Sequence, residues 1–100
     1  MLRYATCVLL SLFTFTVSAE TVLVTGSNRG MGLEFVKQYA DLGWDVIATS
    51  RTPSDDVELQ ELAKENSRIR IESLDVTNVD QLSFLKKEYR NHPIDLVINN

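Results

Sequence analysis

Short apolar segments alternate along this chain with segments of helical periodicity, and this alternation restricts its possible folds more than any other feature. Four apolar segments, rich in β-branched residues, are typical of strands: TVLVT (21–25), WDVIATS (44–50), RIRIESLDV (68–76) and HPIDLVINN (92–100). Between them, apolar side chains recur at the three- and four-residue spacing of a helix. Strands that alternate with helices in this way predict βαβ units and a parallel sheet.

The predicted element order is strand-helix-strand-helix-strand-helix-strand. Crossovers between neighbouring parallel strands are right-handed and cover the sheet with helices. We therefore predict an α/β fold that forms the first half of a doubly wound parallel sheet, with strand order 3-2-1-4. The chain of 100 residues is long enough for one domain, which we assign to residues 20–100.

Residues with known capping preferences stand near the ends of the predicted helices. Gly43 follows the first helix, at the position of a C-terminal cap glycine. The segment TPSDD, residues 52–56, supplies cap-forming and acidic residues suited to the start of the second helix. Thr77 and Asp80 have the spacing of a capping box at the start of the third, with Asp in place of the usual Glu or Gln.

The turn between the first strand and the first helix is rich in glycine. It contains Gly26, Gly30 and Gly32 in the spacing G-x-x-x-G-x-G. A helix N-terminus offers free N–H groups and a partial positive charge, and glycine lets a phosphate come close to the backbone. Tight turns also use glycine for purely steric reasons. The position at a strand-to-helix junction favours a phosphate-binding loop.

Four motifs follow one another in the order of a known family. They are TGSNRGMG (25–32), ATSR (48–51), LDVT (74–77) and DLVINN (95–100). Together they resemble the short-chain dehydrogenase/reductase family, and most closely its carbonyl-reductase-like and Sniffer-like branch. The resemblance implies a Rossmann fold and hydride transfer between a nicotinamide cofactor and a small carbonyl or alcohol substrate.

The same resemblance implies which residues bind the cofactor. In the glycine loop they are Gly26, Ser27, Asn28, Arg29, Gly30, Met31 and Gly32. Asp75 and Val76 stand where the family has an Asp that contacts the adenine ring, and Asn99 stands where the N-N-A-G motif begins, near the cofactor ribose. Judged from the residues alone, Asp75 and Asn99 could equally be residues that end a strand.

The end of the second strand bears on the choice between NAD and NADP. Domains that bind NAD carry an acid there, which accepts from the ribose 2′-hydroxyl. This chain has Ser50 and then Arg51, and Arg29 lies in the glycine loop. A guanidinium binds a 2′-phosphate through paired hydrogen bonds, whereas a carboxylate repels it. We predict NADP(H); the alternative is that both arginines are solvated surface residues.

The chain contains no residue to which we assign catalysis. In the family, the catalytic Ser, the Tyr and the Lys four residues after it follow the N-N-A-G motif, within which this chain stops at Asn100. We therefore expect an N-terminal fragment that carries the cofactor-binding half of an enzyme. The alternative is an NADP-binding regulator or pseudoenzyme. We interpret the lone His92 as a surface residue, and the spacing of Cys, His and acidic residues predicts no metal site.

Residues 1–19 differ in composition from the rest of the chain. Arg3 is followed by sixteen uncharged residues that end in Val17-Ser18-Ala19. This order predicts a secretory signal peptide, cleaved after Ala19. The chain would then enter the secretory pathway or the periplasm; an uncleaved membrane anchor is the alternative. Cys7, the single cysteine, lies in this segment.

The charge of the chain limits its partners. A net charge of −4 gives no reason to expect nucleic acid or an anionic membrane surface as a partner. The expected partner is a small-molecule substrate. For the full-length protein we expect a monomer or a homo-oligomer.

Overall fold

The computed structural model describes residues 20–100, which form four strands, three α-helices and one 3₁₀ turn. In chain order the elements are β1 (Thr21–Val24), α1 (Gly30–Asp41), β2 (Asp45–Ser50), the 3₁₀ turn (Pro53–Asp55), α2 (Val57–Glu65), β3 (Ile69–Ser73), α3 (Val79–Glu88) and β4 (Leu96–Ile98). The predicted element order is confirmed.

The four strands form one parallel sheet in the order β3-β2-β1-β4. Val22 of β1 pairs with Val46 on one side and with Leu96 on the other, so β1 is a central strand. All four residues of β1 are buried. The predicted strand order 3-2-1-4 is thus confirmed, and the carboxyl ends of the strands lie along one edge of the sheet.

Helices cover both faces of the sheet, as the predicted doubly wound fold requires. On one face, Val22, Val24, Val46 and other strand residues pack against Val36 of α1 and Leu59 of α2. The opposite face is a smaller core formed by Leu23, Ile47, Leu74, Leu85 and Tyr89. Burial on both faces explains why β1 and β2 have continuous apolar sequences.

Helix α1 ends in the glycine cap that the sequence predicts. Gly43 adopts φ +88°, its N–H donates to the Ala40 carbonyl, and the Trp44 N–H donates to the Tyr39 carbonyl, both at 3.0 Å. These two bonds make a Schellman motif. The rings of Tyr39 and Trp44 meet edge to face at 4.9 Å, which gives the motif its hydrophobic contact. The cap therefore sets the direction in which the chain enters β2.

Two predicted helix starts differ from those observed. A 3₁₀ turn occupies most of the TPSDD segment, and α2 begins only at Val57, without a side-chain cap from Asp56. Asn78, not Thr77, caps α3: its Oδ1 accepts from the N–H groups of Asp80 and Gln81. The helix begins at Val79, one residue later than a Thr77 cap requires, and the Thr77 hydroxyl is turned to Asp75, to which it donates.

The outer strands are shorter than the sequence segments that predicted them. The chain leaves β3 after Ser73 because the Asp75 N–H turns to the Gln81 side chain, at 2.7 Å. Before β4, the His92 N–H donates to the Tyr89 carbonyl, and Pro93 has no N–H to offer the sheet.

The predicted signal peptide, residues 1–19, lies outside the described residues. Within residues 20–100, no helix combines the length and the apolar character needed to cross a membrane.

Candidate functional site

A polar cleft lies where the carboxyl ends of the strands meet the loops that follow them. Its volume of about 580 Å³ falls within the range usual for small-molecule sites, roughly 300–1,000 Å³. The cleft is lined by Thr25, Gly26, Asn28, Arg29, Ser50, Arg51, Thr52, Leu74, Asp75, Val76, Thr77 and Asn100. Loops that follow β1, β2, β3 and β4 thus all contribute to one cavity.

The glycine loop is closely packed against the start of α1. Gly26 has φ +60°, a conformation that L side chains rarely adopt. A Cβ on Gly32 would lie 2.0 Å from the Gly26 carbonyl oxygen, so any side chain there would collide with backbone. Leu33 is the first residue of α1 whose N–H bonds back, to the Arg29 carbonyl at 3.4 Å. The N–H groups before Leu33 therefore lie ahead of the helical ladder.

Ser27 anchors the loop to the sheet. Its side chain is fully buried, and its Oγ donates to the Val24 carbonyl at 2.7 Å. The same carbonyl accepts from the Thr49 hydroxyl at 3.1 Å, and the Ser27 N–H donates to the Thr49 carbonyl at 3.0 Å. Bonds between loop, β1 and β2 thus hold the loop in place, while the Ser27 hydroxyl points away from the cleft.

The end of β4 is bonded to the beginning of the same loop. The Thr25 hydroxyl donates to Asn99 Oδ1 at 3.0 Å and accepts from the Asn100 N–H at 2.9 Å. Asn100 Nδ2 in turn donates to the Gly26 carbonyl at 3.2 Å. Asn99 therefore supports the loop through Thr25, and Asn100 is the asparagine that lines the cleft.

At the end of β2, Arg51 is exposed at the cleft and Ser50 is buried beneath it. The Ser50 hydroxyl donates to the Asp56 carboxylate and accepts from the Thr52 N–H at 3.2 Å. The Ser50 carbonyl accepts from the Leu74 N–H at 2.8 Å, which joins this end of β2 to the end of β3. Arg51 therefore projects from a backbone held on both sides.

Asp75 forms a tight turn at the end of β3. Its Oδ1 accepts from the Thr77 hydroxyl at 2.6 Å and from the Thr77 N–H at 2.9 Å. These two hydrogen bonds hold the pKa of the Asp75 carboxyl below its ordinary value, and the nearby Arg51 charge lowers that pKa further. Asp75 is thus ionised at neutral pH and faces the cleft that Arg51 also lines.

Comparison with known proteins shows the family to which this chain belongs. The family model for short chain dehydrogenases matches residues 20–100. The chain belongs to the short-chain dehydrogenase family. This confirms the resemblance drawn from the four sequence motifs.

Relatives within the family are oxidoreductases. The chain is 39% identical over 83 residues to an uncharacterized oxidoreductase of Schizosaccharomyces pombe, a match over 81% of this chain and 26% of that protein. It is 34% identical over 87 residues to (−)-isopiperitenone reductase of Mentha piperita, over 78% of this chain and 27% of that enzyme. The chain thus spans about a quarter of the length of these two curated relatives.

Solved structures of family members share the fold. A carbonyl reductase of Pseudomonas aeruginosa in complex with NADP superposes with a TM-score of 0.79 at 28% identity, over 83% of this chain and 36% of that one. The Sniffer protein of Caenorhabditis elegans gives a TM-score of 0.69 at 33% identity, over 84% of this chain and 37% of that one. The predicted similarity to carbonyl-reductase-like and Sniffer-like members is confirmed.

The fold brings most of the predicted site residues of this short-chain dehydrogenase family member together. Seven of them line the cleft: Gly26, Asn28, Arg29, Ser50, Arg51, Asp75 and Val76. The other five do not. Ser27 and Gly32 are buried in the support of the loop, Gly30 begins α1, the Met31 side chain is 67% exposed, and Asn99 bonds to Thr25.

Five residues that line the cleft are not among the predicted site residues: Thr25, Thr52, Leu74, Thr77 and Asn100. Two of them stand in the family motifs next to predicted residues, since Thr25 opens TGSNRGMG and Asn100 closes DLVINN. The side-chain amide of Asn100 lies so close to the loop that a Cβ on Gly26 would approach its nitrogen to 3.2 Å. The signal was the doubled asparagine at the end of a predicted strand.

A second cleft, of about 660 Å³, lies beside α3 and has largely apolar walls formed by Leu23, Leu82, Leu85 and Ile94. It is slightly larger than the polar cleft, but it is away from the carboxyl ends of the strands. Among the residues from 20 to 100, no group of three or more His, Cys, Asp or Glu residues is placed to hold a metal ion.

Proposed function

We propose that the polar cleft binds NADP(H) and that the full-length protein transfers hydride between NADPH and a small carbonyl or alcohol substrate. Membership of the short-chain dehydrogenase family supports this proposal. So do the reductase relatives and the structural neighbours crystallised with NADP. The nicotinamide carries the hydride when bound, and the protein positions it and excludes water.

The observation that carries the choice of NADP is the position of two arginines. Arg29, from the loop after β1, and Arg51, from the loop after β2, line the same cleft. The β2 loop contributes Ser50, Arg51 and Thr52 to the lining and no carboxylate. Two guanidinium groups favour a 2′-phosphate, and a bare 2′-hydroxyl would lack the acid that usually accepts from it.

The residues of the glycine loop fit a pyrophosphate. The start of α1 presents N–H groups ahead of the helical ladder, and a Cβ on Gly30 would meet no atom within 4 Å, so the approach to the loop is open there. In this proposal the cofactor-binding set is Gly26, Ser27, Asn28, Arg29, Gly30, Met31, Gly32, Ser50, Arg51, Asp75, Val76 and Asn99. Of these, Ser27, Gly32 and Asn99 act by holding the loop.

Asp75 and Val76 are proposed to border the adenine. Asp75 is held in its turn by Thr77, which leaves the second carboxylate oxygen free of that turn. The Val76 side chain is 52% exposed, at the cleft, and offers an apolar surface to a flat ring.

We also propose that residues 1–19 direct the protein to the secretory pathway or the periplasm. The order of a basic residue, an apolar segment and a small-x-small end supports this proposal. An uncleaved anchor would instead attach the cleft to a membrane.

Titration of the full-length protein with NADPH and with NADH tests the cofactor assignment. We expect Arg51→Ala to weaken NADPH binding about tenfold, the effect of losing a hydrogen bond to a charged group, and to leave NADH binding unchanged. Lys64→Ala, which removes a positive charge from the last turn of α2, is the matched control.

An equal loss for both cofactors in Arg51→Ala would contradict the role of the arginine in selecting NADP. Turnover of carbonyl substrates with NADPH then separates an enzyme from an NADP-binding regulator, which would bind the cofactor without consuming it.

A further inference from the structure

In the loop between β2 and α2, the carboxylate of Asp56 does not cap the helix that it precedes. Asp56 directly precedes α2, where an Asp side chain ordinarily accepts from the N–H groups of the first helical turn. Here the Asp56 side chain makes no such cap. Its Oδ2 instead accepts from the hydroxyl of Ser50, at the end of β2. Helix α2 therefore gives up a stabilising cap in favour of a bond across the loop.

This bond completes a closed set of contacts around Arg51. The Ser50 hydroxyl that donates to Asp56 also accepts from the Thr52 N–H at 3.2 Å. The residues before and after Arg51 are thus joined through one oxygen atom, and Asp56 orients that oxygen. Ser50 is 3% exposed, so its hydroxyl has little water to replace the carboxylate as an acceptor.

The other end of the loop is held as well. The Asp56 N–H donates to the Pro53 carbonyl at 3.2 Å, and Gln60 Nε2 of α2 donates to the same carbonyl at 2.6 Å. The Asp56 backbone is therefore bound to the 3₁₀ turn while its side chain reaches back to Ser50. The carboxylate acts as a strut between the start of α2 and the residue that precedes Arg51.

We propose that Asp56 is a positioning residue, which holds the backbone of Arg51 so that its guanidinium meets the 2′-phosphate of NADP(H). This inference rests on the proposed cofactor. It assigns a part of the discrimination between NADPH and NADH to a residue outside the cleft, since Asp56 does not line it.

The charge of Asp56 works against this contribution. The Asp56 carboxylate accepts from Ser50, the residue before Arg51, and a negative charge near a phosphate site lowers the positive potential that attracts the phosphate. The hydrogen bond and the charge are separable, because an asparagine side chain keeps an oxygen that accepts from Ser50 but carries no charge. Asp56→Asn should therefore keep the strut, whereas Asp56→Ala removes both the strut and the charge.

The experiment compares dissociation constants for NADPH and NADH in the full-length wild type, Asp56→Ala, Asp56→Asn and Asp55→Ala. We expect Asp56→Ala to bind NADPH about fivefold more weakly, the effect of one lost hydrogen bond, with NADH binding unchanged. Asp56→Asn should bind NADPH at least as tightly as the wild type. Asp55→Ala is the matched control. It also removes one negative charge, at the neighbouring position, and the Asp55 side chain is exposed.

Three results would overturn the inference while leaving the proposed function intact: NADPH binding unchanged in Asp56→Ala, NADH binding weakened by the same factor, or Asp56→Asn as weak as Asp56→Ala. A fourth result, Asp55→Ala as weak as Asp56→Ala, would do the same, because the loss would then not depend on the bond between Asp56 and Ser50. A wild type that prefers NADH, or binds neither cofactor, would overturn the proposed function and this inference together.

Discussion

The backbone of the glycine loop approaches α1 so closely that there is no room for a side chain on Gly32. Gly32 lies beneath the Gly26 carbonyl, and a Cβ at this position would be 2.0 Å from the carbonyl oxygen and 2.8 Å from Asn100 Nδ2. The Gly26 carbonyl belongs to the backbone and cannot swing aside as a side chain can, and Asn100 is held by its backbone bond to Thr25 and its side-chain bond to Gly26. Gly32 is thus required by packing, while Gly26 is required by its positive φ.

We therefore expect Gly32→Ala to lower the free energy of unfolding by about 3 kcal/mol, at the upper end of the usual cost of overpacking. The same change should abolish measurable NADPH binding, because the loop must move to relieve the collision. Thermal unfolding and cofactor titration of the full-length protein measure the two effects.

Met31→Ala is the control for that substitution, since the Met31 side chain is 67% exposed in the neighbouring position. We expect its stability to stay within about 0.5 kcal/mol of the wild type. A Gly32→Ala variant as stable as Met31→Ala would contradict the close packing of the loop.

At the scale of elements, the contact between α3 and β3 depends on Tyr89, which caps the C-terminus of α3. The Tyr89 ring is buried, its hydroxyl donates to Glu72 Oε1 at 3.1 Å, and the Arg70 guanidinium carbon lies 5.3 Å from the ring centroid. The ring of His92 meets it edge to face at 6.0 Å. Burial and the neighbouring Glu72 charge raise the pKa of Tyr89 to about 12.

The raised pKa makes stability depend on pH at alkaline values. Between pH 10.0, the ordinary pKa of tyrosine, and about 12, the folded protein keeps the Tyr89 proton that the unfolded chain has lost. The folded state then binds more protons, so the free energy of unfolding falls as the pH rises through this window. Tyr89→Phe should lack this contribution.

We expect Tyr89→Phe to lower the free energy of unfolding by about 1 kcal/mol below pH 10, through the lost bond to Glu72. Above pH 10, the free energy of unfolding of this variant should fall less steeply with pH than that of the wild type. Denaturant unfolding at successive pH values measures both. Tyr39→Phe, whose ring packs on Trp44 instead, is the control for removing a tyrosine hydroxyl elsewhere in the fold. Identical slopes in Tyr89→Phe and wild type would contradict the assignment.

At the scale of the whole molecule, the cleft and the start of the described chain lie at opposite ends of the strands. The carboxyl ends of the strands carry the cleft, whereas β1 begins at Thr21 on the other side, close after the predicted cleavage point. Glu20, directly before β1, already bonds to the neighbouring strand, since its carbonyl accepts from the Asp45 N–H at 2.9 Å. A membrane-bound segment that ended at Ala19 would leave no linker before the buried strand.

We therefore expect the mature protein to begin at Glu20, and intact mass spectrometry of the purified full-length protein measures this directly. Ala19→Arg is the matched variant, because a large charged residue at the small-x-small end should block cleavage and retain residues 1–19. A wild-type mass that includes Met1 would contradict cleavage and favour the membrane anchor.

Much of the fold follows from patterns local to the sequence. Continuous apolar segments at β1 and β2 predict strands buried on both faces, and helix-length segments between strands leave few ways to connect them except as parallel neighbours. The glycines at 26, 30 and 32 mark the loop, because their spacing and position are visible without any tertiary contact. Gly43 marks the end of α1 for the same reason.

Side-chain partners were not predictable where they lie far apart in the chain or where one side chain has two candidate partners. Asn100 reaches Gly26 across 74 residues, and Thr25 bonds to Asn99 across the same separation. Asp56 turns from its expected cap to Ser50 because β2 ends beside it. Asn78, not Thr77, caps α3 because the helix begins at Val79, while the Thr77 hydroxyl is turned to Asp75. In these last two cases the competing partners are close in the chain, and the surrounding fold decided between them.

The sequence by itself thus determined the element order, the strand order, the family and the position of the glycine loop, because these depend on periodicity and on residues close together in the chain. The tertiary structure alone decided which of the predicted residues face the cleft, which hold it from behind, and that Asp56 supports Arg51. Those roles depend on the direction of side chains at the ends of parallel strands, where hydrogen bonds join residues of different strands and loops.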